Sequence, residues 1–176
     1  MTKREKYTYT VVLDIAKNKT TLDRIEREIA TNNGLGGLRF WVEANIDVGR
    51  PLLDDLFLDR GNYEIFYHDC QDKEKTPDFM GAIRREFRFK PLGNLKVFIF
   101  DKPEYLDGGN IASFKGACDN LEYWSDEEGM CPVTVIFTTT GANSSFENWK
   151  GYDVTKDDWV ALTSRCINCH IEIDVL

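Results

Sequence analysis

Two short apolar runs constrain this chain more than anything else in it. Val97-Phe98-Ile99-Phe100 ends on Asp101, and Val133-Thr134-Val135-Ile136-Phe137 ends on Thr138-Thr139-Thr140. Neither alternates apolar with polar residues, so each reads as a strand buried on both faces, the habit of a parallel sheet covered by helices on both sides. The segment between them holds Ile111, Phe114, Cys118 and Leu121 at helical spacing, long enough for the crossover that parallel strands require. In such sheets ligands bind just outside the carboxyl ends of the strands, which places Asp101 and the threonines at the expected site.

The rest of the chain fits around this pair. Tyr7 to Ile15 reads as a strand, and Thr20 or Thr21 as the N-cap of a helix with Leu22, Ile25 and Ile29 on its buried face. Leu38 to Val42 is the next strand. A loop from Glu43 to Gly49 then leads to a helix starting at Pro51, where a missing N–H costs nothing. Tyr63 to His68 reads as a strand and Phe79 to Phe87 as a short helix. After Thr140 comes a long polar loop anchored by Trp149 and Tyr152, then a helix from Asp157 to Leu162 and a terminal strand from Cys169 to Val175. The alternation of strands and helices predicts one three-layer α/β domain of 176 residues, with an N-terminal strand and helix in residues 1–37 and a core in 38–176.

Composition narrows the function classes. The net charge of -8 repels phosphate backbones, so nucleic-acid contact needs a local basic patch. Arg84, Arg85, Arg88 and Lys90 supply one, or else form a solvated face. No apolar run approaches the roughly 20 residues that cross a bilayer, and the start of the chain lacks a signal peptide's apolar stretch, so a soluble protein of the cytoplasm or nucleus is expected. Five cysteines without a secretory signal fit reduced thiols. Cys166, Cys169 and His170 match C-x-x-C-H, the haem-attachment pattern, which belongs with an export signal that this start lacks; with Cys131, Cys118 or Cys70 and His68 they offer zinc ligands, but only one close-spaced pair where structural zinc sites typically use two. The alternation of the same segment also explains it as a half-buried strand, and no metal site is assigned.

The loop Ala44-Asn45-Ile46-Asp47-Val48-Gly49-Arg50-Pro51 lies between a strand and a helix, where a phosphate-binding P-loop belongs, and has the spacing of G-x-x-x-x-G-K-[ST]. Val97 to Pro103 resembles the Walker B strand of superfamily 3 helicases, especially the Rep proteins of small circular single-stranded DNA viruses and rolling-circle plasmids. Val135 to Thr140 is similar to their motif C, and Trp159 to Arg165 to their last helix and arginine-bearing turn. The resemblance, over roughly Leu38 to Val175, implies a P-loop NTPase-like fold. It makes Gly49, Arg50, Asp101 and Thr140 the nucleotide-binding positions, with Asp101 and Arg165 catalytic if the site is active and ATP with magnesium as cofactor in that case only.

The departures from that pattern fall on the chemistry. Arg50 stands at the lysine position, Pro51 at the metal-binding hydroxyl position and Ala44 at the first glycine. Lys102 replaces the second acid after Asp101, with Glu104 as a possible substitute, and Thr140 stands where the family has Asn. Asp47, Asp54 and Asp55 add negative charge where a phosphate would sit. The resemblance therefore implies a degenerate domain that binds no obligatory cofactor and acts through a protein partner, or on nucleic acid through the basic cluster, in replication of a virus or mobile element. Two alternatives stay open: an active, divergent ATPase, and an unrelated α/β interaction module. In the last case Ala44 to Pro51 is an ordinary strand-to-helix turn capped by Asn45 or Asp47, Asp101 a strand-end acid, and Arg165 a surface cation. Strand order separates the module from the P-loop readings, because a P-loop core places the motif C strand between the strand ending at Asp101 and the one preceding Ala44.

Overall fold

The computed structural model describes residues 11–31, 38–47, 63–72, 95–116, 133–151 and 153–175. Five strands form a parallel sheet: β2 (Leu38–Ala44), β3 (Tyr63–Asp69), β4 (Leu95–Asp101), β5 (Val133–Thr140) and β6 (Ile167–Ile171). Their order is β3-β4-β5-β2-β6. The strand ending at Asp101 is thus separated from the strand ending at Ala44 by the strand carrying Thr138 to Thr140, as a P-loop core requires. The register runs Val97↔Thr134 through Asp101↔Thr138 on one side of β5, and Leu38↔Thr134 through Ala44↔Thr140 on the other.

The absence of alternation in the two central runs has the expected cause. Val97 and Ile99 face one side and Phe98 and Phe100 the other, and all four are fully buried. On the first face they pack with Leu22 and Ile25 of helix α1 (Ile15–Thr31). On the second they meet Ile111 and Phe114 of helix α2, described over 108–116, and Leu162 of helix α3 (Lys156–Thr163). Phe114 stands edge-on to Phe137 of β5, with ring centroids 4.8 Å apart. The molecule is therefore a three-layer α/β domain with helices on both faces of a parallel sheet.

Several local expectations are corrected. Helix α1 begins at Ile15, not after Thr20 or Thr21, because Asp14 is the effective cap: its carboxylate accepts the N–H of Lys17 at 3.1 Å. Only Val11–Leu13 of the first expected strand is extended, as β1, and Tyr7 to Thr10 lie outside the described residues. Strand β2 continues through Glu43 to Ala44, into the expected loop. Helix α3 starts at Lys156, fixed by a capping box in which Thr155 and Asp158 exchange hydrogen bonds. The expected helices after Pro51 and over Phe79 to Phe87 lie outside the described residues, as does Tyr152.

The largest correction concerns the terminal strand. Cys169 to Val175 is not one strand: β6 ends at Ile171, and β7 (Ile173–Val175) leaves the main sheet to pair antiparallel with β1, Val11 opposite Val175. Two asparagine side chains make the step possible. The buried Asn18 donates to the carbonyl of Glu172 at 2.7 Å and accepts its N–H at 2.8 Å. Asn45 does the same for Ile173, at 2.9 and 2.8 Å. Each amide thereby imitates a neighbouring strand, satisfying backbone groups that the change of sheet leaves unpaired.

Candidate functional site

A cleft of about 140 Å³ opens at the carboxyl ends of the strands. Ile46 and Asp47 reach it from beyond β2, Gln71 from beyond β3, Asp101, Lys102, Glu104 and Tyr105 from the end of β4, and Thr138, Thr139 and Thr140 from β5. Asn143 and Lys150, in the segment after β5, close the lining. This is the place that strand polarity predicts for a ligand.

Sheet register builds its centre. Asp69, Asp101 and Thr138 stand in one lateral row across β3, β4 and β5. Asp101 is buried, and each carboxylate oxygen accepts a hydroxyl: Oδ2 from Tyr67 at 2.5 Å, Oδ1 from Thr138 at 2.9 Å. Alternation along β5 turns Thr139 to the other face, where its hydroxyl meets the Oε2 of buried Glu104 at 3.2 Å. The threonine run thus holds one acid on each side of the sheet edge. Burial pushes both carboxyls above their usual range, and the hydroxyl donors oppose that shift. Burial, with the Asp101 charge beside it, drives the Tyr67 phenol well beyond its ordinary range, so Tyr67 remains a donor.

Lys102 adopts a left-handed backbone, φ 58° and ψ 56°, immediately before Pro103. Both chirality and the following proline disfavour that conformation for a residue with a Cβ. Its N–H donates to Thr138 O at 3.0 Å, and its ammonium lies 3.5 Å from Asp69, 3.9 Å from Asp47 and 3.4 Å from the side-chain Oε1 of Gln71. Burial lowers the lysine's proton affinity, but Asp47, Asp69 and Asp101 together outweigh it, so the side chain stays charged. Beyond it, Pro103–Tyr105 forms a short 3-10 turn. The segment from β5 folds back over this turn: Lys150 N–H donates to Glu104 O at 2.7 Å and the Trp149 indole to Leu106 O at 3.0 Å. Trp149 is the anchor expected of it.

The sequence-derived site residues divide. Asp101 and Thr140 line the cleft together, and Glu104 joins them despite the proline before it. Thr140 makes no contact with Asp101 comparable to that of Thr138, the threonine two residues earlier. The Asn45 amide, expected as a helix cap, exchanges hydrogen bonds with Ile173, and the helix expected after it lies outside the described residues. Arg165 does not line the cleft. Its guanidinium returns to Ala161 O at 2.9 Å, at the end of α3. Gly49, Arg50, Pro51, Asp54 and Asp55 lie outside the described residues, as do Arg84, Arg85, Arg88 and Lys90. Cys166 and Cys169 do not converge: Cys166 packs on the α2–α3 face, its thiol toward Leu162 O, and Cys169 is buried on the α1 face. Among the described residues no group of acids, histidines and cysteines is placed to hold a metal ion, and no helix is long and apolar enough to cross a membrane. The threonines stand where strand polarity places them, but the sequence does not show Tyr67, nor that Thr138 serves Asp101 and Thr139 serves Glu104. Only the lateral register, which joins strands far apart in sequence, identifies these pairings.

No protein-family model and no curated protein matches the chain. Among solved structures, that of the Aeropyrum pernix ORC2 protein in ADPNP–ADP complexes matches with a TM-score of 0.49 and 10% identity, over 96% of this chain and 50% of that one. Its ADP form matches with a TM-score of 0.48 and 11% identity, over the same shares. This chain spans about half the length of those relatives in fold. A likeness at that level carries no functional argument, and the P-loop-like fold rests on strand order and on the position of the cleft.

Proposed function

We propose that this is a P-loop-type domain that has given up ATP hydrolysis and works by binding, as an accessory protein in replication of a virus or mobile element. Asp101 carries that reading. In a working site the acid at this strand end helps to hold magnesium, and a second acid after it polarises the attacking water. Here both of its oxygens take hydroxyl donors, and the next residue is a lysine instead of a second acid. The proposed partner is a protein, with nucleic acid as a second candidate through Arg84, Arg85, Arg88 and Lys90.

ATP turnover is the direct test. The wild-type chain is expected to hydrolyse ATP no faster than Asp101→Ala. Whether nucleotide still binds is read separately from unfolding: ligand at 100 times its dissociation constant stabilises by about 2.7 kcal/mol. A second reading, an active divergent ATPase, draws support from Glu104, which lines the same cleft as Asp101 and is the candidate substitute for the missing acid. Magnesium-dependent turnover that disappears in both Asp101→Ala and Glu104→Gln would establish it and overturn the first.

A further inference from the structure

Three oxygen-bearing side chains from two segments surround the Lys102 ammonium at 3.4 to 3.9 Å: Asp47 after β2, Asp69 at the end of β3 and Gln71 just beyond it. Asp101 adds a third negative charge nearby. Magnesium in a phosphate-handling cleft is held by one or two carboxylates together with the ligand's phosphates and water. Here the position is filled from within the chain. The lysine side chain is only 20% exposed, and it reaches this place from a left-handed residue that glycine would occupy without strain. What lysine adds over glycine at this point is the ammonium. Spacings of 3.5 and 3.9 Å suit an ammonium and are too wide for a metal, which needs oxygen at about 2.0–2.6 Å.

We propose that Lys102 stands in for the divalent cation of this cleft, so that the phosphate-type ligands it admits bind without a metal ion. This rests on the P-loop-type reading, but its test does not involve nucleotide or turnover. Manganese alone is titrated into the folded protein and followed by electron paramagnetic resonance. Wild type is expected to bind no manganese in the cleft. Lys102→Gly removes the ammonium and relaxes the backbone, so it should fold, and it should bind one manganese ion at least tenfold more tightly than wild type. Lys102→Met, which keeps the aliphatic stem, should gain the same site, and Lys102→Arg should not. Adding Asp69→Asn to Lys102→Gly should abolish the gain.

Three results would overturn the proposal. One is a folded Lys102→Gly or Lys102→Met protein that titrates like wild type. Another is wild type binding one ion as tightly as those variants, and the third is an equal gain in Lys102→Arg. None of these would bear on whether ATP is hydrolysed, so the two readings fail separately.

Discussion

Replacing Tyr67 by Phe removes one hydroxyl and leaves the ring, so it isolates the 2.5 Å hydrogen bond to Asp101. A hydrogen bond to a charged acceptor contributes about 1.5–3 kcal/mol, and one to a neutral acceptor about 0.5–1.5 kcal/mol. The loss therefore depends on how far Asp101 is ionised. Burial raises the folded-state value of Asp101 above its unfolded one, so the native state holds this proton more firmly than the unfolded chain does. That contribution to stability is fully present below the ordinary aspartate value, about 4, and is lost as pH rises through the folded value. Tyr67→Phe removes a donor that favours the ionised form, which pushes Asp101 higher still. The variant should thus lie about 1 kcal/mol below wild type near pH 3.5 and about 1.5–3 kcal/mol below it by pH 8. For a chain of this size the larger deficit corresponds to a drop in Tm of roughly 3–12 °C. Urea unfolding across that pH range provides the measurement, with Asp101→Asn completing a double-mutant cycle. A deficit that is constant with pH, or that persists unchanged in the Asp101→Asn background, would refute the coupling.

Other substitutions probe the supports of the cleft and sheet. A Cβ on Gly151 would fall 1.7 Å from the carbonyl oxygen of Leu106, backbone that cannot swing aside, so Gly151→Ala should cost about 3 kcal/mol by denaturant unfolding. Asn18→Ala strips both partners from the Glu172 backbone and should cost about 2–4 kcal/mol, with loss of amide-exchange protection at Glu172 as its local sign. Thr155→Ala breaks an exposed capping box and should cost only about 1 kcal/mol, seen as faster exchange in the first turn of α3.

The parts of the fold legible in the sequence are those whose burial is set within one element. Val97 to Phe100 and Thr134 to Phe137 declare themselves because both faces of each are covered, and Asp101 follows as the first polar residue at the sheet's edge. The start of α1 was misplaced because Asp14 closes an alternating stretch and reads as part of a strand. The break at Glu172 leaves no trace in composition. Cys169, Ile171 and Ile173 are all buried and keep the same parity across it, so an even alternation conceals a change of sheet. Of the site, Asp101, Glu104 and Thr140 were found from their place after a strand. Tyr67 was not, and Thr138 was placed at the site without its partner, since both pairings with Asp101 depend on which strands lie side by side.

The small β1–β7 ribbon has a mechanical consequence. Its three rungs begin at Val11 opposite Val175 and end at Leu13 opposite Ile173, so tension applied across those outer residues loads one rung at a time and peels the ribbon open. The peeling front then reaches Glu172 and Ile173, where Asn18 and Asn45 grip both backbone groups of each residue. A chain held this way yields easily at first and then catches, because its latch lies at the inner end of its zipper.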